Sequence, residues 1–325
     1  MDNNEDIRFG IYLKRNNFKL VEIEKLSSGQ LRINRLFQVK LDSSLDVKTI
    51  QNESQVVEIG KQIFELFNVF NNEPQNSIFT LESPFALVKK FPIDSNILEN
   101  DLIDQVDWEV KQFSFSYDDE YIVDFQQLNS SDEKPIKEII VVSVREKIIQ
   151  QLKKLFSAAK MHLNVIDLDV FAAIRAIENN YDLRVGELIA LIEIDNKGLQ
   201  FTILKDKNFF LSQEVFVFKS GNDEENLAAI DDIEIARVIS RELKRIIQDH
   251  HLGENIECLN RIFLYGDFVR DNILENLQNN FNVRIEKTNP FRNLFIGPKV
   301  STDERISSHP ETFTVCVGSA LRTKD

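Results

Sequence analysis

The first forty residues alternate between apolar and polar positions in short runs that end at polar turn residues. A period of two is typical of strands, so we predict one strand over Ile7–Leu13 and a second over Phe18–Ile23. Asn16-Asn17 is predicted to form the turn between them. A second turn at Ser27-Ser28-Gly29 leads into a third strand that begins at Leu31, so an antiparallel meander opens the chain.

The period then becomes helical. We predict a helix over Asn52–Phe70 because apolar residues recur there on one face, and Pro74 follows its end. The short apolar run Ser77–Leu81 is predicted to be a buried strand. The order up to this point is therefore three strands, one helix and one strand.

Residues 83–168 mix strands and helices in a different order, which favours a small α+β domain inserted into the first one. The predicted strands are Phe85–Phe91 (closed by Pro92), Tyr121–Leu128, Ile139–Val144 and Leu163–Leu168. One helix is predicted to start at Asn96, a suitable N-cap, and another to run from Ile148 to Ala159.

The opening pattern repeats in the last part of the chain. The predicted elements are strands over Glu187–Ile194, Leu199–Lys205, Asn208–Phe218, Arg261–Tyr265 and Val283–Ile285, and helices over Val170–Asn179, Asp231–Asp249 and Val269–Asn279. A repeated unit of three strands, a helix and a strand resembles the duplicated actin-like (ribonuclease H-like) α/β fold. We predict a first half at residues 1–82, the inserted domain at 83–168, and a second half at 169–325 whose C-terminal segment returns toward the first.

Composition limits the partners and the chemistry. The formal net charge is −14 and no basic patch is present, so we expect neither nucleic acid nor an anionic membrane as a partner. The apolar runs are far shorter than the ~20 residues of a membrane span, so we expect no direct membrane insertion and a cytoplasmic protein. The two cysteines and four histidines show no metal-ligand spacing, and no metal site is predicted.

Several short segments, in this order, resemble the PilM family of type IV pilus assembly proteins, and more distantly the cell-division protein FtsA. They are Gly10-Ile11 with Lys19, Phe91-Pro92 followed by Asp107-Trp108-Glu109, Val141–Glu146, Val165–Ala172, Phe263–Gly266 and Val317–Arg322. The resemblance covers nearly the whole chain and implies an actin-like fold with nucleotide-binding loops.

The first of those loops departs from the family pattern. The resemblance implies G-I-D-I-G-x-x-x-x-K, and the chain has Gly10 at the start and Lys19 at the end, with Tyr12 in place of the metal-side aspartate and Lys14 in place of the second glycine. A lone lysine at the start of a strand is more often solvated, so we expect Lys19 to be exposed.

The second and third loops depart in the same direction. Glu193 keeps an acid, but Asp195 replaces a glycine, and the third loop reads Gly266-Asp267 where the family has two glycines. Carboxylates beside phosphates cost several kcal/mol unless a cation intervenes. We therefore expect no catalytic residues and no resident cofactor, although Mg²⁺ and ATP remain the alternative.

No other catalytic arrangement is found. The chain has no GxSxG, GxxxxGK[ST] or HExxH pattern. Asp167 and Asp169, two residues apart at a predicted strand end, are interpreted as capping the following helix and not as a catalytic carboxylate pair.

The resemblance implies a scaffold. Its partner would be the cytoplasmic tail of a PilN-like single-pass membrane protein, which would place the chain peripheral to the inner membrane. The first alternative is a divergent actin-fold ATPase that uses Glu193 as its acid. The second is an FtsA-like tethered filament, disfavoured because Leu321–Asp325 forms no amphipathic anchor. Oligomeric state is left open.

Overall fold

The computed structural model forms two compact units. The first unit comprises Met1–Leu20 and Phe37–Asp169, and the second comprises Val21–Leu36 and Val170–Asp325. The division into residues 1–82, 83–168 and 169–325 stays a prediction. The structure describes residues 7–67, 76–113, 120–128, 135–196, 198–216, 230–300 and 303–323.

The elements up to Leu168 are seven strands and three helices within the described residues. The strands are β1 (Ile7–Lys25), β2 (Leu31–Leu45), β3 (Ser77–Leu81), β4 (Ala86–Asp94), β5 (Tyr121–Gln127), β6 (Ile136–Arg145) and β7 (Leu163–Leu168). The helices are α1 (Glu53–Phe67), α2 (Glu99–Phe113) and α3 (Glu146–Ala158).

The remaining elements begin at Asp169. The strands are β8 (Leu188–Ile194), β9 (Gly198–Lys205), β10 (Asn208–Phe216), β11 (Arg261–Tyr265), β12 (Arg284–Lys287) and β13 (Phe295–Ile296). The helices are α4 (Asp169–Asn180), α5 (Asp232–Asp249), α6 (Asp271–Asn280), α7 (Glu304–Ser308) and α8 (Thr314–Ala320).

The strands form three sheets. Two have five strands, in the orders β13-β2-β1-β3-β7 and β10-β9-β8-β11-β12, and one has three strands, in the order β4-β6-β5. In the first sheet β1, β3 and β7 are parallel neighbours. In the second, β10, β9 and β8 form an antiparallel meander, while β8, β11 and β12 run parallel. Each large sheet thus carries parallel strands whose carboxyl ends lie on one edge.

The predicted turn at Asn16-Asn17 is wrong, because β1 is one continuous strand of 19 residues. The side chain of each asparagine is hydrogen-bonded to a residue of the neighbouring strand β2. The side-chain amide of Asn16 donates to the carbonyl of Leu41 at 3.1 Å, and Gln38 Nε2 donates to Asn17 Oδ1 at 3.2 Å. The turn lies further on, where Gly29 has a φ of +83°. The opening meander therefore has two strands and not three.

The core of the second sheet is built on α5. Asp231 caps this helix by accepting from the amide of Ile233 at 3.4 Å. Its apolar stripe is buried in a cluster with β8, β9 and β11, and the helix contributes Ile235, Ile239, Leu243, Ile246 and Ile247. Full burial of such side chains stabilises the fold by about 1.5–3 kcal/mol each.

The three-stranded sheet packs one face against α2. Phe91, Ile93 and Ile139 from the strands meet Val106 and Val110 from the helix. Two predicted boundaries here are wrong. The strand β4 continues past Pro92 to Asp94, which an edge strand tolerates because the missing amide faces away from the ladder. The helix begins at Glu99, and the predicted cap Asn96 instead donates its amide to Asp94 Oδ1 at 2.8 Å.

Candidate functional site

Four of the predicted site residues lie on β1 in the first unit. Gly10 and Tyr12 pair in parallel register with Ile78 and Thr80 of β3. Tyr12 is 2% exposed, so the position of the implied metal-side carboxylate holds a buried aromatic ring. Lys14 is half-buried, and Lys19 is only 3% exposed. The expectation that Lys19 is solvated is wrong, since it lies in a stretch of the strand, residues 18–21, whose side chains are all buried.

The backbone between Lys14 and Lys19 does not form a phosphate-binding loop. Arg15 has a φ of +57°, the left-handed region, within the strand. Its amide donates to Glu82 Oε1 at 3.4 Å. A loop that cradles phosphate turns successive amides toward the anion. Here the chain is extended, and this amide faces a carboxylate of the same protein.

Glu193 and Gly266 lie together in the second unit. Glu193 is near the end of β8, is 3% exposed, and is in register with Tyr265, the last residue of β11. Gly266 follows with a φ of +108°, and a Cβ there would lie 2.5 Å from the carbonyl oxygen of Ile194 and 3.1 Å from Glu193 Cγ. Beyond it, the amide of Phe268 donates to the same Ile194 oxygen at 3.1 Å. This packing requires glycine at position 266.

Asp195 and Asp267 follow two neighbouring parallel strands, and both are partly exposed. The amide of Asp195 donates to the carbonyl of Gly198 at 3.1 Å, which closes the β8–β9 hairpin. The amide of Gly266 donates to the carbonyl of Glu311 at 3.3 Å. Both amides therefore donate to carbonyl oxygens of the protein. The partly exposed groups at this strand edge include two acids.

Two buried acids make contacts that the sequence did not predict. Glu311 is 1% exposed, next to Gly266, and no sequence pattern marks it. Asp169, expected to cap a helix, accepts from the amide of Ser83 at 2.9 Å and from the Ser83 hydroxyl. It thereby fixes the segment that leads from β3 into the three-stranded sheet. Asp167 accepts from the amide of Leu168 at 3.0 Å.

The residues on each unit fit a magnesium nucleotide poorly. Tyr12 offers no carboxylate, and the amides of Arg15, Asp195 and Gly266 donate to protein oxygens. Within the described ranges, no group of three or more His, Cys, Asp or Glu side chains is arranged to hold a metal ion.

In the part of the chain that the structure describes, no helix combines the length and apolar character needed to cross a membrane.

The fold belongs to the actin-like ATPase class. A Bacteroides thetaiotaomicron protein with actin-like ATPase fold and unknown function is 11% identical, with a TM-score of 0.50 over 89% of this chain and 94% of that one. The structure of a PilM-PilN type IV pilus biogenesis complex is 16% identical, with a TM-score of 0.79 over 97% of this chain and 98% of that one. At such identities these likenesses establish the fold.

The family follows from the sequence. The family model described as type IV pilus assembly protein PilM matches residues 10–217, and the chain belongs to this family. A search of curated proteins gave no match.

Proposed function

We propose that this protein is a non-catalytic cytoplasmic scaffold of a type IV pilus or related secretion inner-membrane platform. It binds the cytoplasmic tail of a PilN-like single-pass membrane protein, and through that partner it is peripheral to the inner membrane. The observation that supports this most directly is membership of the PilM family over residues 10–217. The likeness to the structure of a PilM-PilN type IV pilus biogenesis complex over 97% of the chain supports it further.

The charge of the protein suits such a partner. The net charge is −14, whereas cytoplasmic segments next to a membrane span carry an excess of lysine and arginine. Opposite charge raises the association rate and disfavours acidic competitors. A short basic tail is therefore a better match than a second acidic domain.

The strand β1 supports a non-catalytic role. Phosphoryl transfer depends on positioned phosphate contacts and a metal held by carboxylates. In β1 the metal-side position is a buried tyrosine, Tyr12, and the amide of Arg15 donates to Glu82. At the ends of β8 and β11, Asp195 and Asp267 add negative charge where phosphates would need donors. These features would weaken binding of Mg-ATP.

The partner is tested by calorimetry with the full chain. The probe is a synthetic peptide of the cytoplasmic N-terminal segment of a PilN-like single-pass membrane protein from the same genome, and the control is the same peptide with its order scrambled. We expect saturable one-to-one binding of the first peptide and none of the second. Absence of heat above dilution for both peptides would overturn the proposed partner.

A divergent ATPase is the second candidate, and one observation favours it. Glu193 retains a buried carboxylate at the end of β8, beside Gly266. If Mg-ATP were present at about 100 times its dissociation constant, it would stabilise such an enzyme by roughly 2.7 kcal/mol. The enzyme would also show turnover that Glu193→Gln abolishes. We expect neither the thermal shift nor the turnover in the wild-type protein.

A further inference from the structure

One face of helix α2 places a tryptophan among acidic residues in water. Asp101, Asp104 and Trp108 recur at intervals of three and four residues, which aligns them on one side of the helix. Trp108 is 58% exposed. A tryptophan side chain exposed to this extent is unusual, because tryptophan is highly buried on average in folded proteins.

The exposure of Trp108 follows from the orientation of a well-packed helix. The opposite side of α2 carries Val106 and Val110, which are buried against Phe91 and Ile139 of the three-stranded sheet. The helix cannot turn to bury the indole without exposing these residues. The tryptophan therefore contributes little to the core of this unit, and its place on the surface needs another reason.

The acids on this helix are not explained by folding either. Acidic residues in the first turn stabilise a helix through its dipole, which accounts for Glu99 and Asp101. Asp104 and Asp107 lie beyond that turn and are exposed. Among the ion pairs formed by the described residues, none involves Asp101, Asp104 or Asp107.

We propose that this surface, the α2 face (Asp101, Asp104, Asp107 and Trp108), docks a basic segment of a partner protein. One lysine or arginine of the partner segment would lie over the indole, because the ring face attracts a cation. Other basic residues of the same segment would pair with the carboxylates. Charge complementarity selects this occupant. A second copy would present the same acids, and an anionic membrane would repel them. The basic tail of the proposed function belongs to this class of ligand, but the inference rests neither on that function nor on any nucleotide, because its test uses a different peptide.

Trp108 is the only tryptophan of the chain, so its emission reports on this face alone. The probe is a synthetic 18-residue helix of about equal numbers of lysine and leucine, and its control has glutamate in place of lysine. We expect the lysine peptide to shift the emission of the full chain to shorter wavelength in a saturable way. An unchanged spectrum at saturating peptide would overturn the proposal.

Matched charge variants separate this face from general attraction to an acidic protein. Asp104→Lys/Asp107→Lys and Glu254→Lys/Glu257→Lys each replace two exposed acids and change the net charge from −14 by +4, to −10. We expect the first pair to weaken the affinity about tenfold and the second less than about twofold. Equal weakening would overturn the proposal.

The contribution of the ring is measured by calorimetry with Trp108→Ala, and circular dichroism checks that each variant remains folded. We expect this change also to weaken binding of the lysine peptide. An unchanged affinity would show that the indole does not contact the peptide, and would overturn the assignment of the α2 face.

Discussion

Gly266 lies against the strand that carries Glu193, and no larger residue fits there. Its φ is +108°, and a Cβ would lie 3.1 Å from Glu193 Cγ and 2.5 Å from the main-chain oxygen of Ile194. The oxygen belongs to a buried central strand and cannot move away easily. The position is therefore restricted twice, by backbone conformation and by space.

Gly266→Ala should destabilise the protein by about 3 kcal/mol, because the left-handed conformation and the close contact both oppose a methyl group. Gly186→Ala is the matched control, since Gly186 also has a positive φ, +90°, but has nothing within 4 Å of the added methyl group. It should cost only about 1 kcal/mol. Urea unfolding of the three proteins measures both losses, and equal losses would show that the contact with β8 is unimportant.

Asp169→Ala should also be strongly destabilising. The carboxylate is buried and accepts from both the amide and the hydroxyl of Ser83, so its removal leaves two donors without this acceptor. We expect a loss of about 3 kcal/mol in the free energy of unfolding. Ser83→Ala removes only the hydroxyl and should cost about 1 kcal/mol. If the two variants unfold at the same urea concentration, the backbone contact contributes nothing.

The sequence predicted those elements whose signal is local. The strands Ser77–Leu81, Leu163–Leu168 and Arg261–Tyr265 are confirmed at both ends, because each is a short stretch rich in apolar residues. The prediction failed where distant residues decide the structure. Asn16-Asn17 has the composition of a turn, but Leu41, 25 residues away, provides the acceptor that keeps Asn16 in a strand.

The candidate site shows the same limit. Sequence patterns identified the loop positions, and the structure brings Glu193 and Gly266 together. The burial of Lys19 and the Ser83–Asp169 contact were not foreseen. The two ends of that contact are 86 residues apart, and no local period encodes such a pairing.

Tyr12→Asp, which introduces the residue implied by the family pattern, should not create a nucleotide site. The side chain is 2% exposed, so the substitution leaves a cavity and places a charge in an apolar environment. We expect a loss of about 4 kcal/mol in the free energy of unfolding and no heat on titration with Mg-ATP. Tyr12→Phe keeps the ring and should cost about 1 kcal/mol. If Tyr12→Asp were as stable as the wild type and bound Mg-ATP, position 12 of β1 would not be a buried, apolar position.

Glu24 contributes to the free energy of unfolding, and this contribution is lost at acid pH. Its pKa is lowered from the ordinary value of 4.5, first by the side-chain hydrogen bond from Asn34 and then by that from Arg32. The donors lie 2.6 Å and 2.7 Å from Glu24 Oε2. Because the pKa is lower in the folded state, this contribution is present above about pH 4.5 and is lost as the pH falls through the lower folded value.

Glu24→Gln should therefore lower the free energy of unfolding by about 0.5–1 kcal/mol at neutral pH, a modest effect because the pair is partly exposed and screened. The difference from wild type should shrink below about pH 4.5, where the wild-type carboxyl also becomes neutral. Urea unfolding of both proteins from about pH 3 to about pH 7 measures this difference. Glu58→Gln, at an exposed pair with Lys61 of 4.0 Å, is the control and should change little at any pH. A gap between Glu24→Gln and wild type that stays constant over this range would mean that the ionisation of Glu24 does not contribute to stability.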